Sequence, residues 1–275
     1  MRRAFSIFKF KMIVIGCGLT LGRLPVRAQV SPPPSPEAKL PSLQFEVAAI
    51  KPHSQDASMN GGWRFSEDSF STTNLPLKTL IFIAYNLRSG EQLQGLPKWG
   101  GSDRWDIQAK IDGEAVPELR TLGREQRTDE HRLLLRDLLA TRFGLKVHHE
   151  LRNLPIYELV VAKSGFKLKA AAASDKDSGW SWGNGTFKGT DVGVDALSYS
   201  LSSMDDVGRM VENKTGLTGK YDIEMKWTPQ GKQEAADSGP SIFTALEEQL
   251  GLKLVSAKGP VDVIVVDHVE QPSPN

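Results

Sequence analysis

Cysteine is almost absent from this sequence: its 275 residues include one, Cys17. A single thiol cannot close a disulfide within the chain, so a disulfide-stapled miniprotein is excluded. Metal sites built from repeated cysteine pairs are excluded for the same reason. The fold must therefore be held by its hydrophobic core, and a chain of this length with 39% hydrophobic residues is large enough to form one.

Long hydrophobic runs and a strong charge of one sign are also absent. The apolar run near the N-terminus, Met12–Leu21, is too short to span a bilayer as a helix. The formal charge of the whole chain is +1. The composition further excludes a collagen, a coiled coil and a disordered chain, which leaves a globular protein.

The apolar run lies within an N-terminal region typical of a secretory signal peptide. Residues 1–28 carry six basic residues and no acidic residue, and Val26-Arg27-Ala28 suits cleavage after Ala28. We therefore predict a signal peptide over residues 1–28 and a protein exported to the periplasm or the cell exterior. Two alternatives stay open: a lipoprotein, because Val14–Cys17 resembles a lipoprotein box, and an uncleaved N-terminal anchor.

Cleavage would change the charge of the chain. Removing six of the 34 basic residues leaves 28 against 33 acidic ones, a formal charge of −5. Without a basic field, nucleic acid is not expected as a partner. Residues 29–42, which contain Ser31–Pro36, predict a proline-rich linker.

Two segments of the remaining chain match in order and spacing. Phe70–Leu77 aligns with Phe187–Val194, and each precedes a pattern of apolar residues at helical spacing. Trp105 and Tyr221 each open a similar strand, 35 and 34 residues after the respective phenylalanine. Two later helical patterns end at Gly144 and Gly251, and each is followed by apolar strand patterns. Their members are Leu135, Leu138, Leu139 and Phe143 in one, and Ile242, Ala245, Leu246 and Leu250 in the other.

The matches predict an α+β fold made of two tandem pseudo-repeats. Each would run strand, helix, strands, helix and hairpin, giving a mainly antiparallel sheet with helices packed on it. The predicted boundaries are 43–169 for the first half, 170–186 for a Gly-rich connector and 187–275 for the second half.

Four stretches carry a family resemblance: Phe45–Pro52, Trp105–Ile107, Lys214–Asp222 and Ala245–Leu254. Together they resemble an exported, soil-associated bacterial family, a domain of unknown function sometimes appended to BlaR-type metallopeptidase sensors. The resemblance covers about residues 43–273. It implies export and a sensor or binding association, and it brings no catalytic residues.

His148-His149-Glu150 is the first cluster to consider as a metal site. Alternation along a strand would place His148 and Glu150 on one face and His149 on the other. There is no His-Glu-x-x-His helix to complete such a site, and neither a Walker loop nor a G-x-G-x-x-G motif is present. We therefore predict no metal and no nucleotide cofactor.

Motifs for acyl transfer and glycoside hydrolysis have simpler explanations. Ser164 and Lys167 have S-x-x-K spacing, and Lys214-Thr215-Gly216 is a K-T-G triplet. However, Ser164-Gly165 ends a strand rather than opening a helix, and turn chemistry accounts for both motifs. The duplicated Asp106 and Asp222 could act as paired carboxylates, although bonding to nearby backbone or to Arg104 and Lys220 is the more ordinary role.

Tryptophans in Gly-rich surroundings are the more suggestive feature: Trp63, Trp99, Trp180 and Trp182. They either cover the edge of a core or form a contact surface for a glycan, a peptide or an envelope protein. We favour an exported, non-catalytic binding or sensor module that uses these residues. The alternatives are a secreted hydrolase with a site assembled from distant residues, and a structural envelope-assembly protein.

Overall fold

A computed structural model describes residues 43–54, 60–172, 178–231 and 239–272. The predicted signal peptide (1–28) and linker (29–42) lie outside these residues. None of the helices within the described ranges is long and apolar enough to cross a membrane. The elements are β1 (Phe45–Pro52), β2 (Gly62–Phe65), β3 (Ser69–Pro76), α1 (Leu77–Tyr85), β4 (Leu93–Gln94), α2 (Trp99–Ser102), β5 (Arg104–Ile111), α3 (Val116–Thr121), α4 (Arg124–Arg142), β6 (Lys146–Val161), β7 (Lys169–Ala170), β8 (Gly179–Gly183), β9 (Thr186–Val192), α5 (Val194–Ser202), β10 (Val211–Asn213), β11 (Tyr221–Lys226), α6 (Ile242–Ala245) and β12 (Leu252–His268).

The described strands form three four-stranded sheets. The first has the order β1-β5-β3-β2 and the third the order β7-β11-β9-β8, and all neighbours in both are antiparallel. The second has the order β10-β6-β12-β4, in which the central pair is antiparallel and both outer pairs are parallel. The predicted α+β class, with mainly antiparallel sheet and packed helices, is confirmed.

The apolar spacing along each helix explains how it packs. In α1 the residues at positions i, i+3, i+4 and i+7 are buried: Leu77, Leu80, Ile81 and Ala84. The corresponding residues of α5 are also buried: Val194, Leu197 and Leu201. One core forms under the first sheet and contains Phe70, whereas a second forms under the third sheet and contains Phe187.

The first and third sheets share one local feature, a residue of positive φ whose backbone N–H donates to an aspartate. Asn74 and Asp191 have φ values of 55° and 52°, a conformation that short polar side chains tolerate best. The backbone N–H of Asn74 donates to Asp106 at 2.9 Å, and that of Asp191 donates to Asp222 at 3.1 Å. Both carboxylates therefore stabilise the turn that leads into a helix. The organisation into two tandem pseudo-repeats stays a prediction.

The predicted hairpins are wrong. Residues 146–161 form the single strand β6, and residues 252–268 form the single strand β12. These two strands pair with each other from Leu252↔Val161 to His268↔Lys146. Each strand begins in one core and ends in the other, because Leu252 belongs to the second core and Val266 to the first. Burying its two ends in different cores keeps each strand extended.

The Gly-rich segment predicted as a connector, residues 170–186, contains ordered sheet. Gly179–Gly183 form β8, which pairs with β9 at the edge of the third sheet, and Lys169-Ala170 form β7 at the opposite edge. Residues 173–177 lie outside the described residues. The boundaries 43–169, 170–186 and 187–275 stay predictions.

Candidate functional site

An open pocket of about 510 Å³ lies beside β8 and the first turns of α5. Trp180 and Tyr199 supply its aromatic groups, and charged and small residues complete its wall. The lining residues are Arg132, Ser178, Trp180, Asp191, Val192, Gly193, Asp195, Ala196, Tyr199 and Lys220. A concave site of this size with a few convergent polar groups has the usual character of a small-molecule pocket.

The local sequence explains why α5 presents this wall. Its apolar residues face the second core, so Asp195 and Tyr199 remain for the outer face. Asp195 lies in the first turn, where the partial positive charge of the helix N-terminus favours a carboxylate. On β8, Trp180 lies directly opposite Gly189 of β9.

Tyr199 is fixed in place from three sides. Its hydroxyl donates a hydrogen bond to Oδ1 of Asn86 at 2.8 Å. Its ring meets Trp180 edge-to-face with 6.5 Å between centroids, and the guanidinium carbon of Arg88 lies 5.3 Å from its centroid. These contacts pre-organise the aromatic wall, which reduces the entropy lost when a ligand binds.

The polar groups of the pocket differ in whether they already have partners. Asp195 accepts a hydrogen bond from Asn213 at 2.8 Å, and Arg132 donates to Asn86 at 3.0 Å. The side chains of Asp191 and Lys220 have neither a hydrogen-bond nor an ion-pair partner among the described residues. One acceptor and one donor are therefore free to meet a ligand.

The four tryptophans chosen from the sequence do not come together in this pocket. Trp180 lines it, whereas Trp182 lies two residues further along β8. Trp63 lies in β2 beside Phe65, with 6.0 Å between ring centroids, and Trp99 lies in α2 and packs on the first core. Trp63, Trp180 and Trp182 are 52%, 49% and 44% exposed. A binding role for any of the four stays a prediction.

The cluster around His148 forms ion pairs on the surface. His148 contacts Asp267 at 2.8 Å and Glu150 at 3.0 Å, whereas His149 contacts Asp262 at 3.0 Å. Hydrogen bonds to Asp267 and Glu150 raise the pKa of His148. The described residues contain no group of three or more His, Cys, Asp or Glu side chains arranged to hold a metal ion.

The candidates for acyl transfer and glycoside hydrolysis make hydrogen bonds within the fold. Lys167 donates to the carbonyl of Glu248 at 2.7 Å, and Gly165, with φ of +81°, belongs to a turn after β6. Asp106 accepts from Asn74 and lies 2.7 Å from Nδ1 of His53. Burial alone would raise the pKa of Asp106, but the hydrogen bonds from Asn74 and His53 outweigh it and lower that pKa.

Sequence reasoning missed Tyr199, Asn86 and Arg132. A signal existed for the first two, since Tyr199 is an aromatic residue on the polar face of an amphipathic helix. Asn86 follows α1 with φ of 53°, the left-handed position in which asparagine commonly ends a helix. No pattern connects either residue to Arg132, which is 46 positions from Asn86.

Comparison with known proteins adds a family and no activity. Neither the curated proteins nor the solved structures contain a match to this chain. A family model described as "Protein of unknown function (DUF3738)" matches residues 78–269. The match covers more than half of the chain and includes the pocket from Arg132 to Lys220. The chain belongs to this DUF3738 family.

Proposed function

We propose that this protein is an exported, non-catalytic module that binds a short glycan in the pocket of Trp180 and Tyr199. The observation that carries the proposal is the pairing of two aromatic rings with one free acceptor, Asp191, and one free donor, Lys220. Export is supported by the signal-like residues 1–28. The resemblance to a family sometimes appended to BlaR-type metallopeptidase sensors agrees with a binding role.

The chemistry of a sugar ring fits these groups. A pyranose has an apolar C–H face, which packs on an indole, and a rim of hydroxyls that both donate and accept hydrogen bonds. Asp191 would accept from one hydroxyl, and Lys220 would donate to another. The volume of about 510 Å³ is at the scale of a small ligand. Because the chain without residues 1–28 carries a formal charge of −5, a polyanion is disfavoured.

Titration of the full chain with soluble peptidoglycan disaccharides and other short glycans, followed by calorimetry, tests the proposal. We expect saturable binding that Trp180→Ala weakens about tenfold or more, as for a buried aromatic anchor. Trp182→Ala is the matched control, because Trp182 has similar exposure on the same strand and does not line the pocket. Its affinity should stay within about twofold of the unmodified chain, given the small effect of peripheral contacts.

Other outcomes would replace this function. A fall in stability of about 3 kcal/mol or more in Trp180→Ala would show that the indole is core packing. Equal losses in both variants with an extended peptide would indicate strand addition at the free edge of β8. Hydrolysis of the glycan that Asp191→Asn abolishes would make the protein an enzyme.

A further inference from the structure

A second cavity, of about 290 Å³, lies between α1 and the turn that follows α5. Lys78 and Phe82 of α1 form one side, Arg88 and Ser89 lie in the loop after this helix, and Asp205 belongs to the opposite turn. None of its lining residues lines the pocket of Trp180. This cavity can therefore hold a ligand other than the glycan proposed above.

Two cations line this cavity without a carboxylate partner among the described residues. Arg88 lies over the ring of Tyr199, and the ammonium of Lys78 lies 5.7 Å from the ring centroid of Phe82. An aromatic face holds a cation in position but does not use its N–H donors. Both groups can therefore donate charge-assisted hydrogen bonds to an anion.

Ser89 adds a buried donor to the lining of the same cavity. It is 3% exposed, and its Oγ accepts a hydrogen bond from the backbone N–H of Glu91 at 3.4 Å. The hydroxyl proton of Ser89 has no acceptor among the residues that the structure describes. A buried hydroxyl that donates to nothing is unfavourable, and an oxyanion in the cavity would accept a hydrogen bond from it.

The remaining walls indicate what accompanies the anion. Phe82 of α1 and Met204 after α5 are the large apolar residues of the lining, and Asp205 contributes one negative charge against the two positive ones. A bare anion would leave these apolar residues unused. We propose that this cavity binds a phosphate monoester, with Lys78, Arg88 and Ser89 contacting the phosphate and the organic group packing on Phe82 and Met204.

Calorimetric titration of the full chain with phenyl phosphate and with inorganic phosphate, at low ionic strength, tests this proposal. We expect phenyl phosphate to bind more tightly than inorganic phosphate. Arg88→Gln should weaken binding about tenfold or more, because it removes charge-assisted hydrogen bonds. Asp205→Asn should strengthen it roughly threefold, since it removes a nearby like charge.

Two control variants locate the site. Lys258→Gln removes an exposed cation that does not line this cavity and should leave the affinity unchanged. Trp180→Ala should also leave it unchanged, so that failure of the glycan proposal is distinguishable from failure of this one. If Arg88→Gln does not fold, Lys78→Gln gives the same test, because Lys78 is exposed and its loss does not disturb the core.

Three results would overturn the proposal. The first is the absence of binding by both probes. The second is equal weakening by Lys258→Gln and Arg88→Gln, which would show attraction by overall charge only. The third is inorganic phosphate binding as tightly as phenyl phosphate, which would remove the role assigned to Phe82 and Met204.

Discussion

The hydroxyl of Tyr199 lies 2.8 Å from Oδ1 of Asn86, and this hydrogen bond joins α5 to the C-terminal end of α1. Asn86 has the left-handed conformation that ends α1, so the position of its Cα and Cβ is fixed by the end of this helix. The same Oδ1 accepts from Arg132 at 3.0 Å. One amide oxygen therefore orients both an aromatic and a cationic residue of the Trp180 pocket.

Removal of this hydrogen bond should cost stability. Tyr199→Phe keeps the ring and deletes the hydroxyl, and we expect a loss of about 1 kcal/mol in the free energy of unfolding. Asn86→Gly removes the amide and tolerates the positive φ. A double-mutant cycle by urea denaturation should give a coupling energy between the two changes of about 0.5–1.5 kcal/mol.

The matched control is Tyr157→Phe. The ring of Tyr157 packs on Phe243, with 5.6 Å between ring centroids, and lies beside Arg209. The hydroxyl of Tyr157 has no hydrogen-bond partner among the described residues, so its loss should have little effect. Independent, additive effects of Tyr199→Phe and Asn86→Gly would show that the bond contributes nothing in solution.

Asp106 should make stability fall in acid. The pKa of Asp106 is lowered in the folded chain. Its contribution to the free energy of unfolding is therefore complete above the ordinary Asp pKa and is lost as pH falls through the pKa of the folded chain. Asp106→Asn has no carboxylate at this position, so its stability lacks this part of the pH dependence. Urea unfolding of both proteins from neutral to acidic pH should show the difference between them shrinking toward low pH.

Asp222→Asn provides the comparison for Asp106. Asp222 accepts from Asp191, whereas Asp106 accepts from Asn74 and also contacts His53. At neutral pH we expect Asp106→Asn to be the more destabilising change, by about 1 kcal/mol. An equal loss in the two variants would contradict a stabilising role for His53.

His148 should titrate above the ordinary His pKa. Hydrogen bonds to Asp267 and Glu150 raise its folded pKa. The contribution of His148 to the free energy of unfolding is therefore complete below its pKa in the unfolded chain and is lost as pH rises through its pKa in the folded chain. An NMR titration of the imidazole signals should show this shift, and Asp267→Asn should reduce it.

Asp262→Asn is the control for this titration, because Asp262 contacts His149 rather than His148. It should leave the His148 curve in place. If Asp267→Asn also leaves it in place, the surface ion pair between β6 and β12 does not persist in solution.

Gly251 should tolerate substitution less well than Gly144. Both have positive φ, +63° and +59°, so alanine is strained at either position. A Cβ at Gly251 would overlap the backbone carbonyl of Gly165, whereas one at Gly144 would lie 3.1 Å from the flexible side chain of Glu270. We expect thermal or urea unfolding to give losses of about 3 kcal/mol or more for Gly251→Ala and about 1 kcal/mol for Gly144→Ala.

Equal losses at the two glycines would mean that the turn after β6 shifts freely away from Gly251. Gly101→Ala serves as a reference, because a Cβ there meets nothing within 4 Å and the φ is not in the left-handed region.

The amino-acid sequence alone determined the elements whose causes are local. The apolar spacing of α1 and α5 and the left-handed glycine after α4 were both predictable. These features depend on the period of the helix and on the φ that each residue allows, which neighbouring residues are sufficient to define.

Only the tertiary structure decided how strands pair and which side chains meet. The apolar pattern after Gly144 is equally compatible with a hairpin and with one long strand. Burial of the ends of β6 in two different cores selects the strand. Trp180, Tyr199 and Asn86 likewise meet because separate elements bury their apolar faces together. Such convergence depends on the whole fold, so no local spacing encodes it.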